Sequence, residues 1–205
     1  MTHLKFIGFS VCLFFAASLA AQDQYRQERD PNKNSELYLI PEIRVGYSFL
    51  NTNYKTSVAS LPINSDTYNS YTPLLYSATV SFGYHVSPFL AGGLGLGIEQ
   101  YSQPDGTALP TFIDLRGYLK DAKNTPFANV KLGTCFKFGV FQAGYWANLG
   151  VGYKFFAGKT CLTAALGYEF KNTGRWVFDT TIGRPRTWYA LNRHSIVLSI
   201  GVVLF

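Results

Sequence analysis

The chain alternates apolar and polar residues with a period of two from about residue 37 to its end. Such alternation is typical of β-strands whose two faces meet different surroundings. Eight segments carry it, and each is close to the ~9–11 residues that a tilted membrane strand requires. The apolar positions lie within residues 43–49, 74–84, 90–98, 109–119, 128–138, 145–155, 162–170 and 196–204. The pattern predicts an all-β protein of eight antiparallel strands in up-and-down order.

The opposite positions of these segments hold the glycines, the serines and the charged residues, whereas the apolar positions hold bulky Tyr, Phe and Leu. An eight-stranded interior is too narrow for large side chains from every strand, but it accommodates small residues and a few long charged ones. The sequence therefore predicts an inside-out, transmembrane β-barrel. The predicted lumen polar network consists of Glu42, Arg44, Glu99, Asp114, Arg116, Lys131, Lys154 and Glu169.

Two interpretations of this charged lumen are open. The charges could line a gated ion path, or they could pair with one another and close a barrel too narrow to conduct. Asp114 and Arg116 share a face two residues apart and could pair directly or across strands. We favour the closed lumen because of the small size of an eight-stranded barrel.

The connections between segments differ in length. Those at one rim are short turns at 85–88, 120–126 and 156–159, and those at the other are longer, at 51–72, 99–108 and 171–193, with a short exception at 139–144. Short periplasmic turns and long external loops are the outer-membrane arrangement, and an even strand number places both termini in the periplasm. The predicted aromatic girdles contain Tyr84, Tyr118 and Phe127 at one rim and Phe49, Tyr101, Phe138, Tyr145 and Trp146 at the other.

The predicted loop 171–193 is rich in residues that favour binding. Exposed Trp and Arg are frequent anchors for partners, although they could equally order the loop and contact anionic lipopolysaccharide. A further alternative is that residues 176–182 extend the last two strands. The candidate surface-binding residues are Arg175, Trp176, Arg184, Arg186 and Trp188.

The N-terminus predicts export. Lys5 precedes the apolar run 6–19, and Ser18-Leu19-Ala20 supplies small residues at the two positions that a signal peptidase reads, as in a signal peptide of residues 1–21. Cys12 raises a lipoprotein alternative, but it lies inside the apolar run. Residues 22–36 read as a flexible polar tail, which leaves 37–205 for the barrel.

Several other functions find little support. The formal net charge is +6, but the basic residues are scattered, which argues against nucleic-acid binding. Cys135 and Cys161 lack metal-ligand spacing and belong to opposite rims, so we expect neither a metal site nor a disulfide between them. The glycine run at 92–97 is followed by no helix and is not a nucleotide loop. No cofactor is predicted.

An enzyme would need a nucleophile and a base within hydrogen-bond reach. The mature chain has His85, in a predicted turn, and His194, which adjoins Ser195. Neighbouring strand residues point to opposite faces, so His194 and Ser195 cannot act together. We therefore predict that the protein is not an enzyme, with a lipid-modifying enzyme as one alternative and a narrow pore or transporter of small or lipophilic molecules as another.

Five stretches resemble the outer-membrane β-barrel domain family of Bacteroidota, and the resemblance covers most of residues 40–205. In architecture the chain is similar to small OmpA/OmpX-type barrels, and Phe205 matches their aromatic C-terminus. The resemblance implies an outer-membrane protein, here predicted to be monomeric, whose partners are outer-membrane lipid, lipopolysaccharide and, through its last strand, the barrel-assembly machinery. It implies no particular activity. The stretches are 99–101, 109–118, 125–133, 150–154 and 167–170.

Overall fold

The structure is a computed structural model that describes residues 37–57, 74–102, 105–136, 144–158, 160–179 and 184–204. The signal peptide and polar tail predicted for residues 1–36, and Phe205, lie outside the described residues. Within them, no helix is long and apolar enough to span a membrane. The strands are β1 (Leu37–Ser57), β2 (Leu74–Ser87), β3 (Leu90–Ser102), β4 (Asp105–Tyr118), β5 (Thr125–Phe136), β6 (Gly144–Ala157), β7 (Thr160–Asp179) and β8 (Arg184–Val203).

Each strand pairs antiparallel with its neighbours in sequence, and β8 pairs with β1 to close the sheet. The predicted eight-stranded, up-and-down antiparallel barrel is confirmed. Cross-strand pairs followed around the barrel from Tyr38 return to β1 at Ser48, ten residues further along. This stagger tilts the strands by roughly 40° and leaves an interior just wide enough for side chains.

The outward face is apolar along the middle of the barrel, as the alternation predicted. Leu96 on β3 is 59% exposed, and Ile113, Leu132 and Leu149 on the following strands are similarly exposed. Exposed aromatic residues lie nearer both ends of the strands. They include Phe82, Tyr84 and Tyr153 towards the short-turn rim and Tyr47, Tyr76, Phe136 and Tyr145 towards the other rim.

The prediction that aromatic residues form exposed girdles at the two rims is wrong for three residues. Tyr118, Phe127 and Trp146 are buried, with exposures of 5%, 5% and 1%. Each lies two residues from a charged or amide residue of the same strand, and both side chains therefore face the barrel interior. Trp146, for example, lies two residues from Asn148, whose position is also inward. The barrel interior therefore contains aromatic rings as well as the small and charged residues expected there.

The strands at the closing seam are longer than predicted. β1, β7 and β8 have 20 or 21 residues, whereas the other strands have 12 to 14. The β2 partner of β1 ends at its pairing with Tyr47, and the β6 partner of β7 ends at Lys171. Beyond these points β1, β8 and β7 continue as a three-stranded ribbon, here called the extension (51–57, 184–192 and 172–179). Most of the loop predicted at 171–193 is therefore paired strand.

The end of β8 also departs from the alternation. Ile196, Leu198 and Ile200 are exposed as expected, but Val202 and Leu204 are buried. Leu204 forms a two-hydrogen-bond bridge with Leu39 at the start of β1, with N···O distances of 2.8 and 2.9 Å. The last residues thus belong to the closing seam rather than to the exposed apolar band.

Candidate functional site

The inward side chains fill the barrel in layers. Near the short-turn rim lies an apolar layer that includes Tyr38, Ile40 and Phe127. Further along the axis lie two groups of buried charges, and the second is packed against an apolar layer that includes Phe112 and Trp146. The charges and the rings are therefore stacked along one axis.

The group nearer the short-turn rim is here called the lower cluster and comprises Glu42, Asp114, Arg116 and Lys131. Arg116 donates to Asp114 Oδ2 from Nε at 3.0 Å and from Nη2 at 2.7 Å, and Nη2 also lies 2.7 Å from Glu42 Oε1. Lys131 donates to the other oxygen of Glu42. The four groups form a chain of alternating sign, Asp114–Arg116–Glu42–Lys131, with no net charge.

The upper cluster comprises Arg44, Glu99, Glu169 and Lys171. Arg44 Nη2 donates to Glu169 Oε2 at 2.5 Å, and its Nη1 lies 3.6 Å from Glu99 Oε1. Lys171 donates to Glu99, and its Nζ lies 3.7 Å from Glu169 Oε1. Each cation therefore contacts both carboxylates, and the four groups close into a neutral ring.

Aromatic rings lie against three of these cations. The Arg116 guanidinium carbon is 5.9 Å from the Tyr38 ring centroid, and Lys131 Nζ is 5.3 Å from that of Phe112. Arg44 is 5.2 Å from the ring of Trp146. A ring face attracts a cation more strongly where water is excluded, so the aromatic layers stabilise the charges that they border.

Seven of the eight predicted lumen residues lie in the two clusters, and the direct pairing of Asp114 with Arg116 is observed. Lys154 belongs to neither. It is buried at the short-turn rim, where its Nζ is 5.2 Å from the Tyr118 ring, and that ring stacks on His85 at 5.5 Å. His85 itself lies on β2, not in the turn predicted for it.

Sequence reasoning missed one member of the upper cluster, Lys171, and a second buried cation, Arg193. Both were assigned to a loop. The signal was available in the sequence, because Lys171 continues the polar phase of β7 through Glu169, and Arg193 continues that of β8 through Ser195. Extending the alternation by one step in each strand would have found both.

Inward glycines make room for the rings. A Cβ placed on Gly95 would lie 2.2 Å from the Phe112 ring, and one on Gly93 would lie 2.6 Å from the Tyr38 hydroxyl. A cavity of about 10 Å³ remains between the two clusters and is lined in part by Asn129, Asn148 and Ser199, enough for about one water molecule.

The residues considered for catalysis lie apart. Ser195 is buried in the interior, where its hydroxyl lies 2.8 Å from that of Ser48. His194 lies on the outer side, with Nδ1 2.5 Å from the Tyr168 hydroxyl. The prediction that the two side chains occupy opposite faces is confirmed.

Cys135 and Cys161 are free thiols at opposite ends of β5 and β7. They are too far apart along the barrel axis to be joined. In the described part of the chain, no three His, Cys, Asp or Glu side chains gather as a metal site would require.

The candidate surface-binding residues lie on the extension rather than in a loop. In the backbone register Trp176 is the partner of Trp188, and Arg175 is the partner of Tyr189. Arg184 is the backbone register partner of Asp179 at the tip, whereas Arg186 falls in an irregularity of the register beside Val177 and Phe178. Arg175 thus lies on the barrel side of the register irregularity, and Arg184 lies on its far side.

The fold is similar to that of the outer membrane protein OprG from Pseudomonas aeruginosa, with a TM-score of 0.57 and 9% identity, covering 86% of this chain and 99% of that one. Neisserial surface protein A gives a TM-score of 0.47 with 11% identity, covering 82% and 97% of the two chains. AlkL in lipid bilayers gives 0.45 with 12% identity, covering 87% and 94%. No protein-family model and no curated protein matches the chain. The chain has the fold of small outer-membrane barrels, and membership of the Bacteroidota family stays a prediction.

Proposed function

We propose that this protein is an integral outer-membrane barrel whose lumen is closed by its own side chains, and that it serves envelope structure or surface interaction through its extension. The observation that carries the proposal is the pair of neutral, buried charge clusters inside a closed sheet with an apolar outer face. We propose no enzymatic activity, in keeping with the separation of His194 from Ser195.

The membrane location rests on the two faces of the sheet. A closed barrel leaves no unpaired strand edge in the hydrocarbon layer. Leu, Ile and Val dominate the middle of the outer face, and aromatic residues flank them, as in membrane barrels. On β2, eight residues separate Tyr84 from Tyr76, which corresponds to roughly 20 Å along the axis for strands tilted by about 40°. That height is comparable to the ~25 Å apolar band of membrane barrels.

The orientation follows from the connections. Short turns join β2 to β3 and β6 to β7, and membrane barrels place such turns in the periplasm. The extension would then stand on the outer side, with both termini in the periplasm. OprG, which shares this fold, is an outer-membrane protein. A monomer in contact with outer-membrane lipid and lipopolysaccharide, assembled through its last strand and Phe205, is consistent with this placement.

The closed lumen rests on geometry. Every member of the two clusters is at least 95% buried, and a cavity between them has room for about one water molecule. An ion crossing the lumen would have to separate paired charges and displace rings such as Phe112 and Trp146. These contacts support a lumen that does not conduct ions.

Membrane insertion can be tested by introducing an arginine on the outer face at two depths, one in the middle of the apolar band and one at the rim. Leu96 lies in the middle of β3, whereas Val86, 71% exposed, lies one residue before the end of β2. Leu96→Arg should destabilise the barrel folded into lipid vesicles by about 2–4 kcal/mol and Val86→Arg by about 0–1 kcal/mol. Urea titration of both variants measures the difference. Equal losses at the two depths would contradict a membrane-embedded outer face.

Conductance tests the closed lumen separately. The wild-type protein in planar bilayers should give no discrete current steps above the lipid baseline. The control is a protein preparation whose folding into the bilayer lipid has been checked by its heat-dependent mobility in electrophoresis. Stepwise currents from folded protein would overturn the closed lumen and favour the narrow pore, while leaving the barrel itself intact.

A further inference from the structure

The outer face of the closing seam changes in chemistry towards the rim that carries the extension. The residues that alternate with the outward positions of β7 and β8 here are buried, which places the outward side chains on the lipid side. Successive outward pairs are about 7 Å apart along the strands. From the apolar band towards the extension, these pairs are Leu166 with Leu198, Tyr168 with Ile196, Phe170 with His194, and Asn172 with Asn192.

Aromatic rings pack together in the middle of this series. The centroid of the His194 ring lies 5.2 Å from that of Phe170 and 6.0 Å from that of Tyr168. Phe49, which occupies the register shift between β1 and β8, has its ring 6.4 Å from that of Tyr168. Phe49 is 52% exposed, and Tyr168 is exposed as well. Side chains from all three strands of the seam thus present ring surface at one depth.

Hydrogen-bonding groups border the rings. The Tyr168 hydroxyl lies 2.5 Å from Nδ1 of His194, and Asn172 Nδ2 donates to Asn192 Oδ1. Within the described residues, His194 and the two asparagines make no other side-chain hydrogen bond. Nε2 of His194, Oδ1 of Asn172 and the amide group of Asn192 therefore remain for an external partner, and all three side chains are partly exposed.

We propose that this patch binds the sugar headgroup of a glycolipid in the outer leaflet. The seam patch is here defined as Phe49, Tyr168, Phe170, Asn172, Asn192 and His194. A pyranose ring has a face of C–H groups that stacks on aromatic rings, and its hydroxyls both donate and accept the hydrogen bonds that imidazole and amide groups form. The inference rests on the proposed outer-membrane location and names one lipid class for the surface role.

The order of the groups along the strands matches a molecule with acyl chains and a sugar headgroup. Leu166 and Leu198, both exposed, lie on the apolar side of the rings, where the acyl chains would pack. The rings come next, at the depth of the headgroup. The asparagine pair comes last, where further hydroxyls of the sugar would reach.

A second polar pair on the outer face provides a comparison. On β3 and β4, Thr107 Oγ1 donates to Gln100 Oε1 at 2.8 Å. The outward residues on its apolar side are Ile98 and Leu109, which have no ring. A phospholipid headgroup has no face that stacks on a ring and should not distinguish the two places, whereas a sugar should bind at the seam patch.

Two double variants alter the seam patch while keeping its outer face apolar. Asn172→Val with Asn192→Val removes the amides. Phe170→Leu with His194→Leu replaces two rings by aliphatic side chains. Heat-dependent mobility in electrophoresis selects the folded variants, and the single substitution His194→Leu replaces either double variant if it does not fold.

The matched control removes the polar pair that has no rings beside it, as Gln100→Leu with Thr107→Val. Binding is measured by native mass spectrometry of the full-length barrel from alkyl amine-oxide micelles, which contain no sugar. The probes are glucosyl diacylglycerol and phosphatidylethanolamine with the same acyl chains, added in equal amounts. Wild type should retain the glycolipid at least about fivefold over the phospholipid, since one neutral hydrogen bond contributes about that factor.

The seam variants should lower this preference to within about twofold of none, and the control should stay within about twofold of wild type. The inference is overturned if the folded wild type shows no preference or prefers the phospholipid, or if the control loses as much as the seam variants. These outcomes leave the barrel proposal standing, because insertion and conductance test it independently.

Discussion

The two charge clusters in the lumen contain the same kinds of groups, two cations and two carboxylates, but they are connected differently. The lower cluster is an open chain in which Glu42 joins Arg116 to Lys131. The upper cluster is a ring in which Arg44 and Lys171 each contact Glu99 and Glu169. A chain has members whose removal separates it, whereas a ring that loses one member remains connected.

This difference bears on how buried charge is tolerated. A buried ion whose partner is removed is strongly destabilising, because its desolvation is no longer compensated. In the lower cluster the compensation of Lys131 depends on one carboxylate, Glu42, whereas each cation of the upper cluster contacts two carboxylates. We therefore expect the lower cluster to be the more sensitive of the two to single substitutions.

Of the substitutions in the two clusters, Glu42→Gln should lower the free energy of unfolding most. The amide keeps the volume of the side chain but leaves Lys131 without its carboxylate contact and Arg116 with Asp114 alone. We expect a loss of about 3–5 kcal/mol in the free energy of unfolding. Urea unfolding of the protein in detergent micelles, followed by tryptophan fluorescence, measures it.

The matched control removes both charges of the broken contact. Glu42→Gln combined with Lys131→Met leaves the Asp114–Arg116 pair neutral and puts an apolar chain against the Phe112 ring. Replacing a buried pair by apolar groups is often close to neutral. The double variant should recover most of the stability, and a double variant as unstable as Glu42→Gln would show that lost charge balance is not the cause.

Glu169→Gln makes the corresponding change in the upper cluster and should be milder. Arg44 and Lys171 both keep their contacts with Glu99. We expect a loss of about 1.5–3 kcal/mol, the contribution of hydrogen bonds to a charged group. The same urea unfolding experiment compares the two variants. A loss equal to or larger than that of Glu42→Gln would refute the distinction between chain and ring.

Substitution of two neighbouring glycines by alanine tests how tightly the side chains below the lower cluster are packed. Gly93 faces the interior, where a Cβ would lie 2.4 Å from the Phe82 carbonyl oxygen and 2.6 Å from the Tyr38 hydroxyl. Gly93→Ala should cost about 1–3 kcal/mol by overpacking. Gly92→Ala is the control, since its Cβ would meet only Leu115 at 3.5 Å. If both substitutions are tolerated in thermal unfolding, the Tyr38 ring is not tightly confined.

The smallest effect should be that of salt on the stability of the wild-type protein. Both clusters are buried, and buried pairs are screened far less than exposed ones. Raising sodium chloride from low to high concentration should therefore leave the urea midpoint nearly unchanged. A large fall in the urea midpoint would mean that the clusters are open to solvent.

The candidate site could be predicted in large part because alternation assigns every strand residue to a face. That rule identified Glu42, Arg116 and the other five cluster members named from the sequence. It failed where the boundaries of a strand were misjudged, as at Lys171. It also failed where aromatic residues were assumed to favour the rim, as for Trp146, which lies among buried residues of the upper layer.

The sequence by itself determined the number of strands, their order and the face on which each charge lies, because these depend on a local period of two and on short connections. Only the tertiary structure decided which charges meet. Arg44 contacts Glu169, 125 positions away, because the ten-residue stagger brings β1 and β7 to the same depth across the closing seam. Stagger is a property of the closed sheet as a whole, and no local pattern specifies it. The length of the extension was decided in the same way, by the pairing of β1 with the β7–β8 hairpin, which lies far from it in the sequence.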